Sequence, residues 1–206
     1  MKKLIGIISF IVLASVAIAQ TPQEIVSRMD EEMSKHEKEG LVMTVDTKIP
    51  VMGTMSARTY SLGSKTRMET TMLGQDVIIW SDGKTEWTYT RKNNEVKITN
   101  QKEESSESDG DAEMFDGITD GYDVYIDKET AKEWTILCKK SKSNSDNDAP
   151  KKMELVIAKG TYKPVSLKTK MSGITITMHN ISFGVTERQV TFNPQDYPGI
   201  TIVDKR

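Results

Sequence analysis

Few side chains in this sequence are equipped for covalent or acid–base chemistry. There are two histidines, His36 and His179, and one cysteine, Cys138. An imidazole serves as a general base only when a nucleophile or an orienting carboxylate stands beside it. His36 falls among charged residues where a first helix should end, and His179 alternates with Met178 and Ile181 along a strand-like run. Neither stands in a recognisable hydrolase context, and no Gly-x-Ser-x-Gly elbow occurs. Cys138 alternates with Trp134 and Ile136, which marks a packed thiol, and a lone cysteine closes no internal disulfide. The acidic run Glu103, Glu104, Glu107, Asp109, Asp111 lacks the ligand spacing of a calcium loop. These features predict no enzyme, no metal and no cofactor.

What remains is the chemistry of apolar contact. Residues 80–89 read Trp-Ser-Asp-Gly-Lys-Thr-Glu-Trp-Thr-Tyr. Asp82-Gly83 between two β-forming runs signals a tight hairpin with a type I′ turn. Side chains alternate along a strand, so Trp87 and Tyr89 share one face and give the hairpin a broad apolar surface. Twelve methionines add to it. Met is flexible and polarisable, suited to a lining that must fit variable shapes, although it also fills ordinary cores.

The elements that must position these residues follow from periodicity. Lys2 and Lys3, the apolar run Leu4–Val16 and the small-x-small step Ala17-Ile18-Ala19 form an export signal, too short for a membrane span of about 20 residues. No cysteine stands at the cleavage point to carry a lipid anchor, so the expected product is residues 20–206, one soluble periplasmic domain. Losing Lys2 and Lys3 makes a formal charge of −2 still more negative, which leaves no basic footprint for nucleic acid. Thr21-Pro22-Gln23-Glu24 is a capping box that opens a helix, with Ile25, Met29 and Met33 on one stripe and Gly40 as its stop. From Leu41 the period is two, through runs at 41–49, 55–59, 66–72, 77–80, 86–89, 96–98, 122–126, 134–138, 153–157, 165–169, 174–178 and 190–192. Polar stretches 102–111 and 141–148 are loops, and 112–118 reads as a short helical turn.

This pattern predicts a mainly β, α+β fold: a curved antiparallel half-barrel of about eleven strands, covered by the N-terminal helix and a short lid segment. Two small covers on a large curved sheet leave room for a hollow. Its candidate lining is Met43, Val45, Met55, Met68, Met72, Trp87, Tyr89, Trp134, Ile136, Ile174, Ile176 and Met178, several of which can instead be ordinary core. The candidate lid is Ile25, Met29 and Met33 with Met114 and Phe115. A lipid-like chain is the natural occupant of such a hollow.

The chain resembles the periplasmic outer-membrane lipoprotein carriers of the LolA type. The resemblance rests on Val26-Ser27-Arg28-Met29-Asp30, on Ser81-Asp82-Gly83-Lys84-Thr85-x-Trp87-x-Tyr89, on Val190-Thr191-Phe192-Asn193-Pro194 and on Gly199–Arg206. It implies a half-open barrel lidded by helices, without catalytic residues, in which acyl chains of lipoproteins travel from inner to outer membrane. It implies as partners acylated lipoproteins, an inner-membrane release complex and an outer-membrane acceptor, the carrier acting as a monomer. In that family an arginine, usually in an Arg-Pro step, holds the lid. Here no Arg-Pro occurs; Arg58 and Arg67 are the nearby arginines, and Arg67 is the candidate lid contact. Glu86 stands where the carriers tend to be apolar. A lipid- or lipoprotein-sensing module of the same fold, or a non-catalytic envelope assembly protein, remains the alternative.

Overall fold

The capping box forms as the sequence dictates. Thr21 Oγ1 accepts the Glu24 N–H at 3.2 Å while the Glu24 carboxylate accepts the Thr21 N–H at 2.9 Å, and helix α1 runs over Pro22–Ser34. Ile25, Val26, Met29 and Met33 are buried on its one apolar face. The chain then turns at Gly40, whose φ of +69° is natural only for glycine. A Cβ there would stand 2.5 Å from the Ser61 carbonyl oxygen. The computed structural model describes residues 20–101, Phe115 and residues 117–206; the export signal, the acidic run and Met114 lie outside the described residues.

Beyond Gly40 the strands follow in order: β1 (Leu41–Ile49), β2 (Gly53–Leu62), β3 (Lys65–Met72), β4 (Gln75–Ser81), β5 (Thr85–Thr90), β6 (Glu95–Asn100), β7 (Tyr122–Glu129), β8 (Glu133–Lys140), β9 (Lys152–Ala158), β10 (Pro164–Met171) and β11 (Ile174–Phe183). A short helix, α2 (Glu187–Val190), and strand β12 (Thr201–Asp204) complete the chain. The strands form one curved, unclosed sheet of twelve, ordered β12-β6-β5-β4-β3-β2-β1-β11-β10-β9-β8-β7. Neighbours are antiparallel except β12, which runs parallel to β6.

Eleven of the expected runs are thus strands. Residues 190–192 are not: Thr186 and Gln189 form a second capping box, Val190 closes α2, and the chain then leads into Pro194. The additional strand lies further on, at Thr201–Asp204. The turn at Asp82-Gly83 also differs from type I′, which needs positive φ at both central residues. Only Gly83 has one (φ 85°), and the Asp82 carboxylate instead caps the turn by accepting the Lys84 and Thr85 N–H groups.

Cross-strand register divides the sheet into two faces with different covers. On the helix face, α1 and Phe115 pack over Leu41, Met43, Trp134, Ile136, Cys138, Leu155, Ile157 and Leu167. On the opposite, tail face, Val185 and Val190 cover Val42 and Tyr60, while Phe192, Tyr197 and Ile200 cover Trp80, Tyr89, Val96 and Ile98. Each face is sealed over a different half of the sheet.

Candidate functional site

Register builds an apolar floor on the helix face. Leu167, Met178, Val45, Ala57, Thr70 and Val77 stand directly opposite one another across six strands, from β10 to β4. At about 4.8 Å per strand that row is ~24 Å long. Beside it on one side lies Met43–Thr59–Met68–Ile79, and on the other Ile176–Thr47–Met55. The row begins in the core beneath α1, where Leu167 is buried, runs past half-buried Met178, Val45, Ala57 and Thr70, and ends at Val77, which is buried again. At its far margin Met55 and Met72 are 38% and 44% exposed. The result is a trough along the curved sheet with threonines as its only polar floor groups in these rows, buried at both ends, at Leu167 and Val77, and open along the margin at Met55 and Met72.

The structure therefore brings together Met43, Val45, Met55, Met68, Met72, Ile174, Ile176 and Met178 on one face. Trp134 and Ile136 share that face but are packed under α1 as core. Trp87 and Tyr89 do not belong to the group. Trp87 pairs with Trp80 and Tyr89 with Ile78, and the chain of pairs through Arg67 and Tyr60 to Val42 places them all on the tail face. There Phe192 and Tyr197 lie 6.3 Å from Trp87 and 4.6 Å from Tyr89, ring to ring. The hairpin aromatics bind the protein's own C-terminal segment. Ala57, Thr59, Thr70, Val77, Ile79 and Leu167 complete the floor and escaped the sequence reading. Small, polar or isolated residues acquire this role only through their cross-strand partners.

Of the lid residues, Ile25, Met29, Met33 and Phe115 are all buried against the helix-face core. Phe115 comes from the connection between β6 and β7, which stand far apart in the sheet order. Arg67 is not a contact to α1. Its side chain is on the tail face, over the Tyr60 and Trp80 rings at 5.5 and 5.6 Å. It pairs with Glu69 and donates to the Gln189 carbonyl at 3.4 Å. Lys65 likewise pairs with Glu187. Both basic residues fasten α2 to β3, on the side away from α1. A hollow of about 560 Å³ separates α1 from the start of β7, lined by Gln23, Ser27 and Asp30 against Thr119–Tyr125.

The histidines are built into the frame. The His36 ring stacks on Phe183 at 4.3 Å, with Glu32 and Glu39 carboxylates 3.3 and 3.1 Å from its nitrogens, tying the end of α1 to β11. His179 meets a carboxylate that sequence spacing concealed: its Nε2 is 3.0 Å from Asp46, which also accepts a 2.7 Å bond from the Ser56 hydroxyl. The hydroxyl points at the carboxylate and not at the imidazole, so the trio lacks the serine-to-histidine relay of a nucleophile. The Ser56 hydroxyl, and then His179, hold the Asp46 carboxyl below its usual range, which makes it a poor proton acceptor. Burial pushes the Cys138 thiol up to about 11, leaving it protonated and inert at neutral pH. Among the described residues no group of three or more His, Cys, Asp or Glu is placed to hold a metal ion. No helix among them is long and apolar enough to cross a membrane.

No protein-family profile matches the sequence, and no curated protein matches it. Solved structures do match in shape. LprF from Mycobacterium bovis superposes with a TM-score of 0.52 at 11% identity, over 85% of this chain and 99% of that one. This chain has the fold of LprF. Lipoprotein LppX from Mycobacterium tuberculosis gives a TM-score of 0.49 at 12% identity, over 78% and 94% of the two chains. A LolA superfamily protein from Nitrosomonas europaea gives 0.37 at 11% identity, over 86% and 100%. At 11% identity the likeness to LprF is one of fold alone, and the site is built by this chain's own residues.

Proposed function

We propose that the protein is a periplasmic, non-catalytic carrier that shields the acyl chains of a lipoprotein in the methionine-bordered trough, as a monomer, between an inner-membrane release complex and an outer-membrane acceptor. The observation that carries this reading is the six-strand, largely apolar row, which leaves the core beneath α1 and is only half-covered from Met178 to Thr70 before it ends at buried Val77. Folding normally buries such a surface. An extended, flexible hydrocarbon fits a narrow apolar row better than a compact polar metabolite does.

Energetics make a shield necessary. Two long acyl chains carry about 30 methylenes, and at ~0.8 kcal/mol each their exposure costs roughly 24 kcal/mol, so unassisted passage through water is negligible. Non-covalent affinity saturates near −18 kcal/mol, and a carrier that must also release needs less. A trough with an open margin and flexible Met55, Met68 and Met72 along it meets both demands by covering the chain incompletely.

The test is native mass spectrometry of the protein purified from its own envelope compartment. The expected spectrum contains the protein plus one acylated species, with a triacylated polypeptide as the diagnostic adduct. Bound phospholipid alone would replace lipoprotein carriage with lipid binding, and unliganded protein in every preparation would remove the proposal.

A further inference from the structure

Strand order places five hairpin turns at one end of the sheet: β1–β2, β3–β4, β5–β6, β8–β9 and β10–β11. Three of them carry apolar residues into solvent. Val51 and Leu73 are fully exposed, Met52 is 75% exposed, and Met171 flanks the β10–β11 turn at 38%. Their backbone makes the choice of residue stranger still. Leu73-Gly74 closes a two-residue turn with φ of 51° and 74°, a geometry that favours Asn-Gly, and Val51 has φ of 71°. A branched side chain in the left-handed region is a genuine outlier. Neither solubility nor the local backbone explains an exposed Val or Leu there.

A row of lysines lies directly behind these tips, on the face away from α1. Lys48 stands opposite Thr175, which stands opposite Lys170. One position beyond the Thr169–Met153 pair, Lys170 adjoins Lys152, and Lys152 stands opposite Lys139. None of these four lysines is ion-paired with a described residue. Lys151, Lys152, Lys168 and Lys170 also border a hollow of about 430 Å³ that contains one acid, Glu154. The other acidic groups of this end among the described residues are Asp76, paired with Arg91 at 3.6 Å, Glu95, paired with Lys97 at 3.9 Å, Asp120 just before β7, Asp123 opposite Lys139, and Asp146 and Asp148 in the β8–β9 turn.

Apolar tips leading and a band of lysines behind them, none ion-paired with a described residue, complement one kind of surface: a hydrocarbon layer under a sheet of negative charge. We propose that this end of the sheet docks on an anionic lipid bilayer, with Val51, Met52, Leu73 and Met171 entering the interface and Lys48, Lys139, Lys152 and Lys170 resting on phosphate headgroups. Lysine stems are long enough to lie along the apolar layer while the ammonium groups stay at the charged level. Docking places the open margin of the trough, at Met55 and Met72, next to the membrane, because both residues border the same turns.

The experiment is co-sedimentation of the purified protein with vesicles of phosphatidylcholine, with and without phosphatidylglycerol. Binding should require the anionic lipid and fall steeply as salt is raised. Each Lys→Gln change in the row should weaken it about fivefold. The decisive variant is the pair Val51→Asn and Leu73→Asn, which relieves the backbone and should leave Tm equal or higher while vesicle binding falls at least tenfold. Met68→Asp, facing the trough, should leave vesicle binding unchanged, so this surface and the trough fail separately. Undiminished binding by the Asn pair, equal binding to neutral vesicles, or binding of the row to an acidic protein without any to vesicles would overturn the proposal.

Discussion

Replacing Met68 by aspartate should weaken binding of a fluorescent fatty-acid probe by about two decades without unfolding the protein. Met68 lies mid-trough, opposite Thr59 and Ile79, and is only half-buried, so the carboxylate stays hydrated in the free protein. A seated hydrocarbon would have to strip that water or lift away from the floor. Lifting about four methylenes off the apolar surface forfeits ~3 kcal/mol, which is the expected hundredfold loss. Aspartate serves better than arginine because its short side chain cannot reach past the hydrocarbon to solvent. Titration of the probe against wild-type and variant protein, with circular dichroism as the folding control, measures the effect. An unchanged Kd in a folded variant would remove the trough as the binding surface.

The opposite outcome is expected one strand face away. Trp80→Ala should lower thermal stability severely and leave probe affinity intact at temperatures where the variant is folded. Trp80 is 3% exposed and holds the C-terminal segment through Phe192 and Tyr197, with ring centroids 5.3 and 5.8 Å distant. Truncating a buried aromatic of this kind costs ~3–5 kcal/mol, and at ~2–4 °C per kcal/mol for a domain of this size Tm should fall by about 10 °C. Thermal unfolding followed by circular dichroism reads the shift. Trp87→Ala should act in the same sense with a smaller amplitude, since Trp87 is only partly buried. Lost probe affinity in a folded Trp80 variant would show that the tail face, too, contributes to binding.

These contrasting expectations trace to what a strand pattern can and cannot convey. The capping box at Thr21–Glu24 is local chemistry and was fully legible, as was the stripe of Ile25, Met29 and Met33. Period-two alternation told which residues of one strand share a face, and eleven strands followed from it. It did not tell which face of β5 aligns with which face of β1. Only the ladder from Trp87 through Trp80, Arg67 and Tyr60 to Val42 answers that, and each rung depends on where the intervening turns fall. Hence alternation alone groups Trp87 and Tyr89 with Met43, although the sheet separates them. Arg67 was misplaced for the same reason: it is held to the chain's C-terminal segment and not to α1. The run 190–192 was too short for periodicity to distinguish strand from helix, and the Thr186–Gln189 capping box decided it. Turn chemistry misled as well, because paired left-handed residues occur at Leu73-Gly74 and Ser172-Gly173, while Asp82 caps its turn with a side chain.

The most direct measurement is photo-crosslinking with a fatty acid carrying a diazirine along its chain, followed by peptide mapping. Cross-links should concentrate on Val45, Met68, Ile79 and Met178 and spare Trp80, Trp87 and Tyr89. Labelling of the aromatic face, or labelling scattered evenly over the surface, would contradict the account.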